Sequence, residues 1–155
     1  MYKYLLLLLL PSLSIYLQLT GQVAKRFDLA ITELLADPSP SVGLPGYEFI
    51  ELKNISPDTI ALLNWKISDG NSTALINFNY LLQPDSFVII CPIAAVNLYS
   101  VFGATLGVSG FPSLNNEADI ISIYSPEGLI IHAVGYTDGW YRNNLKAAGG
   151  WTLEM

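Results

Sequence analysis

Turn chemistry recurs along this chain at intervals of roughly 8–15 residues, and the runs between turns are rich in β-branched and aromatic side chains. Asp37-Pro38-Ser39-Pro40, Ser56-Pro57-Asp58, Asp69-Gly70-Asn71, Gln83-Pro84-Asp85 and Ser125-Pro126-Glu127-Gly128 are the clearest stops. Proline donates no backbone hydrogen bond and restricts the residue before it, so each of the four that contain one ends a ladder and turns the chain. This spacing predicts an all-β antiparallel sandwich rather than strands alternating with long helices.

Strands are expected over residues 28–35, 47–54, 59–63, 65–68, 73–78 and 86–91. In the second of these, Glu48, Ile50 and Leu52 alternate to one face, with Phe49 and Glu51 on the other. Trp65 lies inside a strand, where its indole is expected to fill the core with Ile50 and Leu52. Residues 94–102 alone carry helical spacing, with Val96, Tyr99 and Phe102 along one side, and a short helix is expected there. The Gly/Ser/Asn-rich stretch 103–116 reads as a long crossing loop. A hairpin is expected from 118–124 and 129–136, with Ile121, Ile123, Leu129 and Ile131 as its shared face. Residues 151–154 begin a closing strand.

Residues 1–24 read as a secretory signal peptide: Lys3 gives a positive start, and Leu5 to Leu10 form an unbroken apolar run. Small residues follow at Gly21 and Ala24, and the run is short for a membrane span. Cleavage removes Lys3, leaving six Lys/Arg against thirteen Asp/Glu, so the formal charge moves from −6 to −7. An acidic domain over 25–155 is a poor ligand for nucleic acid, whose phosphates demand a basic face. A secreted or cell-surface location follows, with no membrane span after cleavage. The single cysteine excludes an intrachain disulfide. The chain stops at Met155 within a strand pattern, so the domain is expected to be truncated at its C-terminus.

No catalytic residue is assigned. The nucleophile elbow of serine hydrolases is missing, His132 is the lone histidine in mid-strand, and Cys91 ends an apolar strand where thiols are inert. One cysteine and one histidine cannot supply the ligands of a zinc site. Glu33, Asp37, Glu48 and Asp69, with Glu51 and Asn54 nearby in sequence, are the candidates for calcium, which takes six to eight oxygen ligands. The alternative is that they are solvated strand residues and turn caps. No other cofactor is expected. Tyr136, Trp140 and Tyr141, with Trp151, are candidates for a binding loop that stacks on a sugar or anchors a protein; they serve equally as a small local core.

Five segments in order carry a family resemblance: Ile31-Thr32-Glu33, Tyr47 through Asn54, Leu62 through Asp69, Leu82-Gln83-Pro84 before Phe87 through Cys91, and Leu114 through Asp119. Together they resemble the lamin tail domain, over about residues 27–155. The resemblance implies an immunoglobulin-like β-sandwich with one short helix. Asp37-Pro38-Ser39-Pro40 and Tyr136 through Tyr141 look like the bacterial secreted branch of that family. Similar domains sit beside nucleases, phosphatases, adhesion modules or sorting signals. The resemblance therefore implies a non-catalytic interaction or structural module at the cell surface, with an unknown protein or glycan partner. Its alternatives are an accessory domain of an exported hydrolase whose catalytic part lies elsewhere, and a carbohydrate-binding sandwich. Oligomeric state is not legible.

Overall fold

Proline-bounded apolar runs become eleven short strands in the computed structural model, which describes residues 23–155. Most of the expected signal peptide lies outside the described residues. Ala24, at the expected end of that leader, is buried among core side chains.

One sheet is built from β1 (Leu29–Leu35), β2 (Phe49–Asn54), β7 (Phe87–Pro92), β8 (Thr105–Val108) and β11 (Leu153–Glu154), in the order β11-β1-β2-β7-β8. The facing sheet holds β4 (Lys66–Ser68), β5 (Thr73–Leu75), β9 (Ala118–Tyr124) and β10 (Ile130–Thr137), in the order β10-β9-β4-β5. A two-stranded ribbon of β3 (Ile60–Ala61) and β6 (Leu81–Leu82) lies apart from both ladders. Two short helices, α1 (Val96–Tyr99) and α2 (Asn144–Ala147), each follow a 3₁₀ turn. No helix among the described residues is long and apolar enough to cross a membrane.

The core between the sheets forms because alternate residues point inward. Ile50 and Leu52 are fully buried, and Trp65 is only 2% exposed in the same cluster as Ile67, Ile121 and Ile123. In two strands the alternation breaks. The β1–β2 register shifts between Ile31 and Glu33, so Leu29 and Ile31 point inward and then Leu34 does. The β10–β9 register shifts between Ile130 and His132, so Ile131 is followed inward by Val134 and Tyr136. A bulge opposes two residues to one and moves the next side chain to the other face. For that reason Leu129, expected on the hairpin's shared face, is instead exposed at the turn.

The stretch 103–116 is not a plain loop. It contains β8, which pairs with β7 in parallel, the one exception to antiparallel pairing among the described residues. The connection that makes this geometry feasible is the 3₁₀ turn Ile93–Ala95 with α1, crossing over the sheet's outer face. There a second cluster forms from Leu35, Phe49, Ile89, Cys91, Ala95 and Tyr99. Phe49 therefore points away from the main core yet is buried, its ring 4.9 Å from that of Tyr99. Val96 and Tyr99 face inward as their spacing predicts, whereas Phe102 is exposed.

Gly107 permits this close approach. A Cβ built there would lie 2.8 Å from Ile93 Cα and 2.5 Å from Val96 Cγ2. Gly107→Ala must push the crossover off β8, at a cost of about 1–3 kcal/mol. On a domain of this size that corresponds to a melting temperature lower by roughly 2–10 °C, measurable by thermal unfolding. An unchanged midpoint would show that the turn is not seated on β8.

Candidate functional site

The lone histidine and the lone cysteine are both taken up by the fold. His132 sits on β10 where that strand's edge meets β1, and its Nδ1 accepts the Ile31 backbone N–H at 3.1 Å. Phe27 N–H donates to the Ile131 carbonyl at 2.9 Å beside it. The imidazole thus continues a ladder between the two sheets, and burial pulls its pKa below the usual value. Cys91 is fully buried in the cluster beneath α1, and desolvation pushes its thiol up to about 11. A thiol held protonated is a poor nucleophile.

The carboxylates expected to converge are dispersed. Glu33 lies in mid-strand, directly opposite Glu154 on one side and Glu51 on the other. Burial raises its pKa, opposed by a hydrogen bond with the Thr152 side chain and reinforced by Glu51 and Glu154. Its folded-state affinity for a proton exceeds the unfolded one, so its ionisation opposes folding as pH rises through the folded value. Glu51 accepts from the Thr32 hydroxyl at 2.7 Å. Glu48 is near Asp37, with burial again the main cause of a raised pKa, set against hydrogen bonds from Leu114 and Ser113. Asp37 accepts the Ser39 N–H at 3.1 Å. Asp69 caps the β4–β5 turn, accepting from Ser72 N–H at 2.6 Å and Asn71 N–H at 2.8 Å, which lowers its pKa.

Asn54, the neighbouring side-chain oxygen, is fully buried and committed. It accepts from the Ser56 N–H and hydroxyl and donates to the Asp58 and Leu82 carbonyls. Among the described residues, no group of three or more His, Cys, Asp or Glu could hold a metal ion. The four carboxylates do not all come together: Glu48 stays near Asp37, Glu33 faces Glu51 and Glu154 along the sheet, and Asp69 caps a turn of the other sheet.

The aromatic set divides in the same way. Tyr136 is a core residue, 2% exposed, its hydroxyl donating to the Asn115 carbonyl at 2.7 Å. The bulge in β10 turns it inward and takes it out of the expected loop. Tyr141 is half-buried and donates to the Trp151 carbonyl at 2.7 Å. Trp140 remains, half exposed, on the rim of an open depression of about 480 Å³. Tyr141, Trp151, Lys146 and Glu154 line the same depression, with Lys146 Nζ 4.8 Å from the Trp151 ring centre.

A smaller, more enclosed cavity of about 280 Å³ lies at the end of the sandwich beside Trp65. Ala24, Ile60, Ala61 and Pro126 give it apolar walls; Asp28, Thr59 and Glu127 are its polar groups. Nothing local in the sequence marks it, since its lining comes from three segments distant along the chain.

Residues 22–138 match the family model described as Lamin Tail Domain. No curated protein gives a significant match. The matched span holds both sheets except β11, and ends before Trp140, Tyr141 and Trp151.

The seam at His132 makes stability pH-dependent. A histidine whose folded pKa is depressed contributes fully above the unfolded value of about 6.5, and the contribution falls away as pH drops below it toward the folded value. Thermal midpoints should therefore decline across that window. His132→Asn, which keeps an acceptor that does not titrate, is expected to flatten the decline. His132→Phe should cost about 1–3 kcal/mol at every pH by orphaning the Ile31 N–H. An equal slope in all three proteins would remove His132 as the source.

Proposed function

The chain belongs to the lamin tail domain family, and from that premise we propose that it is a non-catalytic interaction or structural module of a larger exported bacterial protein, acting outside the cell or at its surface. The observation that carries this reading is the use made of the only histidine and the only cysteine. One accepts a backbone N–H between sheets through its side chain and the other is sealed in a core, so both serve architecture. The acidic composition and the leader pattern support an exported setting. Expressed from its full coding sequence in a bacterial host, the protein is expected in the exported fraction, shortened at a bond ahead of Ala24. Full-length material retained in the cytoplasm would count against export.

The Trp140 depression favours one more specific function, recognition of a sugar. A half-exposed indole beside Trp151, with Lys146 and Glu154 within the same lining, offers an apolar platform and polar groups at its edge. Stacking of that kind needs Trp140 and not Tyr136. Glycan-array binding abolished by Trp140→Ala and retained by Tyr136→Phe is the expected pattern, and an array without signal would retire the sugar reading.

A further inference from the structure

We propose that the cavity beside Trp65 is a docking site for a lysine or arginine side chain of a protein partner. Its volume of about 280 Å³ falls just under the range of roughly 300–1,000 Å³ typical of small-molecule pockets. It suits one long side chain better than a whole metabolite. Ala24, Ile60, Ala61 and Pro126, with the Trp65 indole, offer apolar surface to a methylene stem. Long cationic side chains bury their stems in this way while the head group stays among polar atoms.

The charge in the cavity selects among occupants. Both ionisable groups lining it, Asp28 and Glu127, are carboxylates, and no cation lines it. The ion pair identified among the described residues joins Lys53 to Asp85, so neither cavity carboxylate is neutralised by a lysine or arginine. Asp28 accepts the Lys25 backbone N–H at 2.7 Å through Oδ2, which fixes the carboxylate in place. Arg26, the nearest arginine in sequence, lies over the Phe27 ring with Cζ 5.0 Å from its centre. An anionic occupant would meet two like charges, and a neutral apolar one would gain nothing from either carboxylate. The proposal rests on the reading of the chain as an interaction module; it does not depend on export, which fractionation tests separately.

Protein purified after expression from the full coding sequence, with ¹⁵N-labelled tryptophan, would be titrated with N-acetyl-arginine amide and N-acetyl-lysine amide. Trp140→Phe and Trp151→Phe assign the three indole resonances. The expected result is a saturable displacement of the Trp65 indole N–H, with Trp140 and Trp151 unmoved and no response to N-acetyl-norleucine amide. Asp28→Asn with Glu127→Gln should weaken binding about three- to tenfold, as for one partly buried and one exposed ion pair. Should that double variant fail to fold, raising the salt from about 0.05 to about 0.5 M on the unmodified protein must weaken binding instead. No displacement, equal displacement by the norleucine amide, or affinity indifferent to both the variants and salt overturns the proposal.

Discussion

Two sheets can enclose a core only if something fixes their edges, and here the edge is fixed where β1 meets β10. β11 covers β1 only opposite Glu33 and Leu34. The first half of β1 has no strand beyond it in its own sheet, and β10 of the facing sheet approaches that open side. Phe27 and Ile31 donate to Ile131 and His132 across the gap. Both strands shift register at this point, which lets each leave its own ladder and still return apolar side chains to the core. An aliphatic residue in place of His132 would pack but leave a buried donor unpaired. The imidazole supplies an acceptor that reaches beyond the strand's own carbonyls.

Away from the seam, buried polar groups play the same part in tying loops to sheets. The Tyr99 hydroxyl donates to the Pro45 and Tyr47 carbonyls and so holds the β1–β2 loop against α1. Tyr136 and Tyr141 do the same for the loop before β9 and the segment before β11. Asn54 joins the end of β2, the turn after it and β6 through four bonds with no capacity wasted. Each of these groups would cost stability if left unpaired, so each fixes one arrangement of the loop it touches. Gly150 shows how tight the result is: a Cβ there would lie 2.0 Å from the Pro40 carbonyl oxygen.

The parts legible in the sequence were those governed by local pattern. Proline and glycine turns bounded β1, β2, β7, β9 and β10 to within a residue or two, and Trp65 fills the core as expected, although it sits just ahead of β4 and not inside it. What stayed hidden depends on partners far along the chain. β8 lacks a strong apolar alternation and is a strand because β7 lies beside it. Phe49 reads as an outward residue until α1 covers it. Tyr136 reads as a loop aromatic because the β10 bulge that turns it inward leaves no sequence mark. The carboxylates were grouped by nearness in sequence, yet Glu33 has Glu51 and Glu154 as its neighbours and Asp69 belongs to a turn of the other sheet. The cavity beside Trp65 joins residues 24–28, 59–61 and 126–127 and has no local signature at all.

The distribution of charge follows from the same economy of contacts. Carboxylates in this domain are held mainly by N–H and hydroxyl donors, as at Asp37, Glu51, Asp69 and Asp119. Cations lie over aromatic rings, Arg26 on Phe27, Lys53 on Phe87 and Lys146 on Trp151. Lys53 with Asp85 is the one ion pair identified among the described residues, so most of the acidic excess is left as a field around the molecule, which repels anions and attracts cations. One region is exempt. From Ser86 to Asn116 the sequence holds no charged residue, and Ile93, Leu98, Val101 and Phe102 are exposed within it. A partner that carries negative charge meets less resistance there than elsewhere. The field and the charge-free region therefore differ in kind, one a long-range charge and the other an apolar surface.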